Sequence, residues 1–327
     1  MNKLEGTCCL VTGGAGFVGS TIVDQLLAAG ASEVRIVDNF VRGNWANLSA
    51  ARERGGVKVI EGDIRKVSLV RELTEGVDFV FHQAALRITR CAEAPREAIE
   101  GLIDGTFNVL EAAIEHKVKK VIAASSASVY GEPSYLPIDE EHPFNNRTLY
   151  GGAKIANEQM LRALHDTHGL DYVALRPFNV YGPRMDMVGV YTEVLIRWLD
   201  AIETNTRPLI FGDGMQSMDF VYVEDVARAN ILAAQSDVTD DAFNVGTGTS
   251  VTLNELCAIL LNITGSPLKP EYREARKVAN VQRRCAATEK AERILDFKAT
   301  TTLEQGLRQI IPWRQARKAV EAAVLEA

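Results

Sequence analysis

Thr12-Gly13-Gly14-Ala15-Gly16-Phe17-Val18-Gly19 joins an apolar run, Cys8-Cys9-Leu10-Val11, to an amphipathic one, Ser20 to Ala29. The first run reads as a buried strand, and the second as a helix with Ile22, Val23, Leu26 and Leu27 inward. A glycine-rich strand-to-helix turn lets a pyrophosphate approach the backbone. The helix N-terminus behind it offers unpaired N–H groups and partial positive charge. The glycines follow G-x-x-G-x-x-G, so context matters more than the motif alone. That context is a second strand, Val34-Arg35-Ile36-Val37, ending in Asp38, 19 residues beyond Gly19. A carboxylate there accepts hydrogen bonds from adenosine ribose hydroxyls and repels a 2′-phosphate.

The 327 residues are 46% hydrophobic and 24% charged, the balance of a soluble globular protein with a sizeable core. A net charge of -7 argues against a general nucleic-acid surface. No apolar run approaches the roughly 20 residues of a membrane span. The first strand begins almost at once, which leaves no room for a signal peptide. Five cysteines, Cys8, Cys9, Cys91, Cys257 and Cys285, lack metal-site spacing, so no metal is expected. Thiols in a core strand fit a reducing, cytoplasmic compartment.

Strands and helices alternate through the first half, the pattern of a parallel sheet covered on both faces. Further strands are expected at Val57–Ile60, Asp78–Phe81, Lys120–Ala124 and Tyr172–Arg176, with helices over 66–74, 97–116 and 150–168. The Asp78–Phe81 strand leads into His82-Gln83-Ala84-Ala85, and small residues at a strand's carboxyl end suit close ligand contact. After Pro177 the alternation weakens. Helices are expected at 191–203, 224–234, 253–263, 289–295 and 303–311, with short strands at 208–211, 219–223 and 243–246. The fold class is therefore α/β: a Rossmann-type doubly wound parallel sheet with a smaller C-terminal α/β substrate domain. The division expected is 1–177 for the dinucleotide and 178–327 for the substrate, with 219–247 returning to the first domain.

Tyr150-Gly151-Gly152-Ala153-Lys154 puts a tyrosine and a lysine on one helical face. Together with Ser126, Gly62-Asp63-Ile64, Arg176 to Gly182, Gly212-Asp213-Gly214 and Phe243 to Gly246, it makes the chain resemble the extended short-chain dehydrogenases/reductases. Within that family the resemblance, over nearly the whole length, is to the nucleotide-sugar epimerases and dehydratases. It implies that Gly13, Gly16, Phe17, Val18, Gly19, Asp38, Asn39, Asp63, Ile64, Ala84, Ala85, Arg87, Tyr150, Lys154 and Phe178 hold NAD. It implies substrate contacts from Arg87, Ser126, Ser128, Asn179, Arg184, Leu209, Ile210, Phe211, Arg283 and Arg284. Two positions depart from the family pattern. Leu102 stands where an asparagine is usual before Gly105-Thr106, and Met218 stands where an arginine meeting the nucleotide diphosphate is usual. The diphosphate then needs its cation from Arg184, Arg197, Arg283 or Arg284.

A tyrosine titrates near 10 in water, so Tyr150 needs a cation beside it to act as a base. Lys154, one turn on, supplies it, and Ser126 hydrogen-bonds the same substrate oxygen. Sugar dehydratases carry Asp-Glu directly after the catalytic hydroxyl residue, but Ala127 and Ser128 stand here. This leaves oxidation at C4, reorientation of the keto sugar and hydride return to its other face. The expected activity is a UDP-glucuronate or UDP-glucose 4-epimerase with NAD, with Arg184 pairing a uronate carboxylate or, alternatively, the diphosphate or an acidic loop neighbour. The alternatives are another NAD-dependent sugar-nucleotide oxidoreductase or decarboxylase, and a non-catalytic NAD-binding regulator. Phe107, Leu110, Ile114, Met160 and Leu164 suggest a second apolar face, and hence a homodimer.

Overall fold

Residues 3–187, 194–275 and 281–326 are described by the computed structural model. The strands are β1 (Cys8–Thr12), β2 (Glu33–Asp38), β3 (Val57–Glu61), β4 (Phe79–His82), β5 (Lys120–Ala124), β6 (Tyr172–Pro177), β7 (Asn179–Tyr181), β8 (Leu209–Phe211), β9 (Ser217–Tyr222), β10 (Asp241–Val245), β11 (Ser250–Thr252) and β12 (Glu271–Arg273). Seven of them form one parallel sheet in the order β10-β6-β5-β4-β1-β2-β3. The order reverses between β1 and β4, so a crevice opens beyond their carboxyl ends. In register, Thr12 faces Val37 on one side and His82 on the other.

The strands have apolar residues on both faces because both faces are covered. Cys9 and Val11 point into one core with Ile22, Leu26 and Ile36, while Leu10 points into the other with Val80, Val109 and Val121. Cys9 is fully buried, and burial pushes its thiol up to about 12. Cys8, expected to be buried with it, is half-exposed at the strand's start.

The remaining strands make two small sheets, β11-β9-β7 and β12-β8. Leu195, Trp198, Leu199, Leu256, Leu260, Leu307 and Ile310 form a third core there. Only Phe178 separates β6 from β7, so the chain passes directly from the large sheet to a small one. β10 rejoins the large sheet beside β6, whereas β9 pairs with β7 and β11.

The helix expected over 97–116 is three pieces: Pro95–Ile99, a π-turn at Glu100–Asp104, and Gly105–Glu115. Its apolar residues step irregularly because Gly105 N–H donates to the Glu100 carbonyl, five residues back. The helix expected from 191 is described only from Val194 to Glu203, and the one expected over 303–311 runs on to Glu326. β7, β11 and β12 have three residues each, too few to show alternation.

Candidate active site

The glycine turn shapes a cavity of about 440 Å³ at the carboxyl end of β1. Gly13 has φ +68, and a Cβ there would lie 2.8 Å from the Ala84 backbone. At Gly19 a Cβ would lie 2.2 Å from the Gly13 carbonyl oxygen, so the helix could not start this close to the turn. That helix, Phe17–Ala28, begins at Gly16 with no side-chain cap. Its first residues, Phe17, Val18 and Gly19, line the cavity, and the unpaired N–H groups of a helix start suit an anion there.

Asp38 closes β2 and is buried. One carboxylate oxygen accepts from Ala15 N at 3.0 Å and the other from Phe40 N at 2.9 Å. Burial raises its pKa, and those N–H groups pull it back. Asp63 is held by Arg65 and by Asn39 Nδ2 at 3.1 Å, which lowers it to about 2. Gly13, Gly16, Phe17, Val18, Gly19, Asp38, Asn39, Asp63, Ile64, Ala84, Ala85, Arg87 and Tyr150 all line this one cavity. The closed glycine turn, the uncapped helix and the acid after β2 fit a dinucleotide.

Sequence reasoning missed a strap across the cavity rim. Asp186 Oδ2 accepts from Arg42 at 2.7 Å and pairs with Arg87 at 2.8 Å, joining three loops remote in sequence. Arg184 also lies in this cavity. Its guanidinium pairs at 2.7 Å with Asp24 of the Phe17–Ala28 helix, not with an acidic neighbour in its own loop.

At the far wall Ser126 ends the turn after β5. Its Oγ accepts from Ser128 N at 3.1 Å and lies near enough to the Tyr150 hydroxyl to favour the phenolate. Tyr150 opens the helix Leu149–His168, whose N-cap Thr148 accepts from Gly151 N. Lys154 Nζ lies 5.8 Å from the centre of the Tyr150 ring and donates to the Ala124 carbonyl at 2.6 Å. Burial raises Tyr150, and the nearby Ser126 hydroxyl works against it. Burial lowers Lys154 to about 8. One turn further on, Glu158 carries a buried two-point ion pair to Arg176, at 2.9 and 2.6 Å, and accepts from Ser125 Oγ. That pair ties β5, β6 and the tyrosine-bearing helix together just behind the Ser126–Tyr150 contact.

His82, at the end of β4, makes only contacts within the fold. It is buried between Thr12 Oγ1 at 2.8 Å and Thr106 Oγ1 at 2.9 Å, and burial lowers it to about 3. Leu102, which replaces the usual asparagine, is buried with Cys91, Ala98 and Ala153.

Ser126 and Ser128 also line a second cavity of about 200 Å³, with Phe178, Asn179, Tyr181, Met185, Val194, Leu195, Phe220 and Arg284. Arg284 Nε and Asn179 Oδ1 are buried there without a hydrogen-bond partner. Other expected substrate contacts fall elsewhere. Leu209, Ile210 and Phe211 form β8, with Ile210 buried in the third core. Arg283 and Arg197 are exposed. Phe178 belongs to the second cavity's walls.

A glycine turn at the sheet's switch point, with a tyrosine at the cavity's far wall and a lysine one helical turn behind it, is the arrangement of an extended short-chain dehydrogenase/reductase. More narrowly, the chain belongs to the NAD dependent epimerase/dehydratase family, whose model matches residues 9–246. It is 33% identical to the UDP-glucose 4-epimerase of Mycolicibacterium smegmatis, over 92% of this chain and 96% of that one. Among solved structures it resembles the UDP-N-acetylglucosamine 4-epimerase of Methanobrevibacter ruminantium M1 in complex with UDP-N-acetylmuramic acid. The TM-score is 0.91 and the identity 34%, covering 96% of this chain and 99% of that chain. It is likewise similar to the Thermotoga maritima UDP-glucose 4-epimerase with UDP-glucose, with a TM-score of 0.88, 33% identity and coverage of 95% and 99%.

Proposed function

We propose that this protein is a UDP-hexose 4-epimerase acting on a neutral sugar, with NAD regenerated in each cycle. One observation carries the reading: among the described residues of the second cavity, Arg284 is the only charged side chain. A dehydratase needs a further acid and base beside the sugar, and that wall offers neither. A uronate needs a cation in addition to the one that meets the diphosphate. Arg184, the residue expected to serve it, lines the other cavity, where its Nη2 pairs with Asp24 and its Nη1 is buried without a hydrogen-bond partner. Similarity to UDP-glucose 4-epimerases supports the same reading.

NAD, held at the glycine turn and by Asp38, would supply the acceptor and donor of the C4 hydride. Tyr150 takes the O4 proton during oxidation and gives it back during reduction, so no proton is consumed. Ser126 hydrogen-bonds the reacting oxygen and keeps the phenol aimed at it. Lys154, whose Nζ lies 5.8 Å from the centre of the phenol ring, brings a positive charge that favours the phenolate. Asn179 and Arg284 offer unpartnered polar atoms to the nucleotide end, so the sugar ring stays free to present either face.

The test is incubation of the purified protein, without added cofactor, with UDP-glucose, UDP-N-acetylglucosamine and UDP-glucuronate. Products are then separated, and NADH absorbance is followed. We expect 4-epimers of the neutral sugars, no net NADH, and loss of turnover with retained NAD in Tyr150→Phe. Turnover confined to UDP-glucuronate would overturn the neutral-sugar assignment, and a dehydrated or decarboxylated product would overturn the epimerase reading.

A further inference from the structure

Asp219 is fully buried in β9 and has no cation among its hydrogen-bond partners. Oδ1 accepts from Thr247 N at 2.9 Å and Thr247 Oγ1 at 2.7 Å. Oδ2 accepts from Gly248 N at 3.0 Å and Ala286 N at 3.1 Å. A carboxylate with four neutral donors and no counter-charge is costly to bury, and it holds its donors tightly because losing one exposes that cost.

One of those donors matters for the second cavity. Residues 281–287 form neither helix nor a named strand and carry Arg284. The segment runs beside β9: Ser217 N donates to the Gln282 carbonyl at 3.0 Å, and Arg284 N to the Ser217 carbonyl at 2.9 Å. Two residues on, Asp219 fixes it again through Ala286 N. Gly246 presses from the other side, since a Cβ there would lie 2.6 Å from Ala286 Cβ and 2.9 Å from Asp219 Oδ2. Side chains alternate along a strand, so Asp219 faces away from Phe220, which lines the cavity. Arg284 is thus held from behind, with its Nε buried and without a hydrogen-bond partner.

We propose that Asp219 is a positioning residue for Arg284, gripping the segment so that the guanidinium meets the substrate diphosphate without a search. This rests on reading the second cavity as the site of a nucleoside diphosphate sugar. It also offers a reason why Met218 can stand beside Asp219: the cation is delivered by a pinned neighbouring segment, not by β9 itself.

The experiment titrates UDP into the NAD-loaded protein by calorimetry, for wild type, Asp219→Asn, Arg284→Ala and the double variant. Asparagine keeps the shape, but only one of its two terminal atoms accepts, so it cannot hold Thr247 N–H and Ala286 N–H together and loosens the grip on the segment. If a charged contact is lost, Arg284→Ala weakens UDP about tenfold or more. Asp219→Asn is expected to weaken it comparably, with KM for the UDP-sugar raised, kcat near wild type and NAD content unchanged. The double variant should be no worse than Arg284→Ala. Should Asp219→Asn not fold, Gly246→Ala, whose methyl presses on Ala286 and on Asp219 while leaving the carboxylate's charge in place, must give the same pattern. Wild-type UDP affinity in the folded variant, or losses that multiply in the double variant, would overturn the positioning role. A wild-type protein that binds no UDP would instead remove the reading of the cavity.

Discussion

Lys154 is 2% exposed, and its ammonium is held by a single carbonyl. Burial lowers it to about 8, whereas a lysine in an unfolded chain titrates near 10.4. Between those values the unfolded chain binds more protons than the native one. The contribution of Lys154 to stability therefore rises with pH through that window and is lowest below it, where the native state must bury a charge. At 1.36 kcal/mol per pKa unit, the pH-dependent part is on the order of 3 kcal/mol. Lys154→Met should therefore show a stability difference from wild type that drifts in favour of wild type between pH 7 and pH 10. Urea unfolding of the ligand-free protein across that range measures it, and a constant offset would reject the burial argument. The charge that weakens the fold at neutral pH is the one Tyr150 needs.

At the scale of elements, the site is built from strand ends. β1 delivers the glycine turn, β2 Asp38, β4 Ala84 and β5 Ser126, because a parallel sheet brings all its carboxyl ends to one edge. Asp38 is fixed in place by two backbone N–H groups, and Gly43 packs where a Cβ would lie 2.5 Å from its Oδ1. The carboxylate cannot swing away from a 2′-phosphate. NAD should bind more tightly than NADP by several kcal/mol, the cost of opposing like charges. Asp38→Ser should remove most of that gap. Direct titration of both cofactors decides, and equal affinities in the wild type would refute the argument.

For the molecule as a whole, the helices Gly105–Glu115 and Leu149–His168 lie side by side on one face of the large sheet. Phe107 is 43% exposed there, while Ile114, Met160 and Leu164 are half-buried. Leu110, read from the sequence as part of this outer face, is fully buried in the chain's own core. The smaller set still suits a two-fold pairing of helices between copies. We expect light scattering at micromolar concentration to give twice the 35.8 kDa chain mass, and Phe107→Asp to shift it towards the monomer. A wild-type monomer would reject the dimer. Among the described residues, no helix is long and apolar enough to cross a membrane.

By itself the sequence determined what depends on neighbours along the chain. The turn at Gly13 to Gly19, the acid at Asp38 and the pairing of Tyr150 with Lys154 are local, set by strand and helix periods. Seven strands of the large sheet were legible for the same reason: each has apolar residues enough for two buried faces. The tertiary structure alone decided what distant segments do to one another. It paired Arg184 with Asp24, drew Arg42 and Arg87 onto Asp186, and walled the second cavity with residues as far apart as Ser126, Phe220 and Arg284. Candidate cations could be named from the sequence. Which of them faced that cavity depended on a buried carboxylate, since Asp219 reads in the sequence only as an acid beside an apolar run.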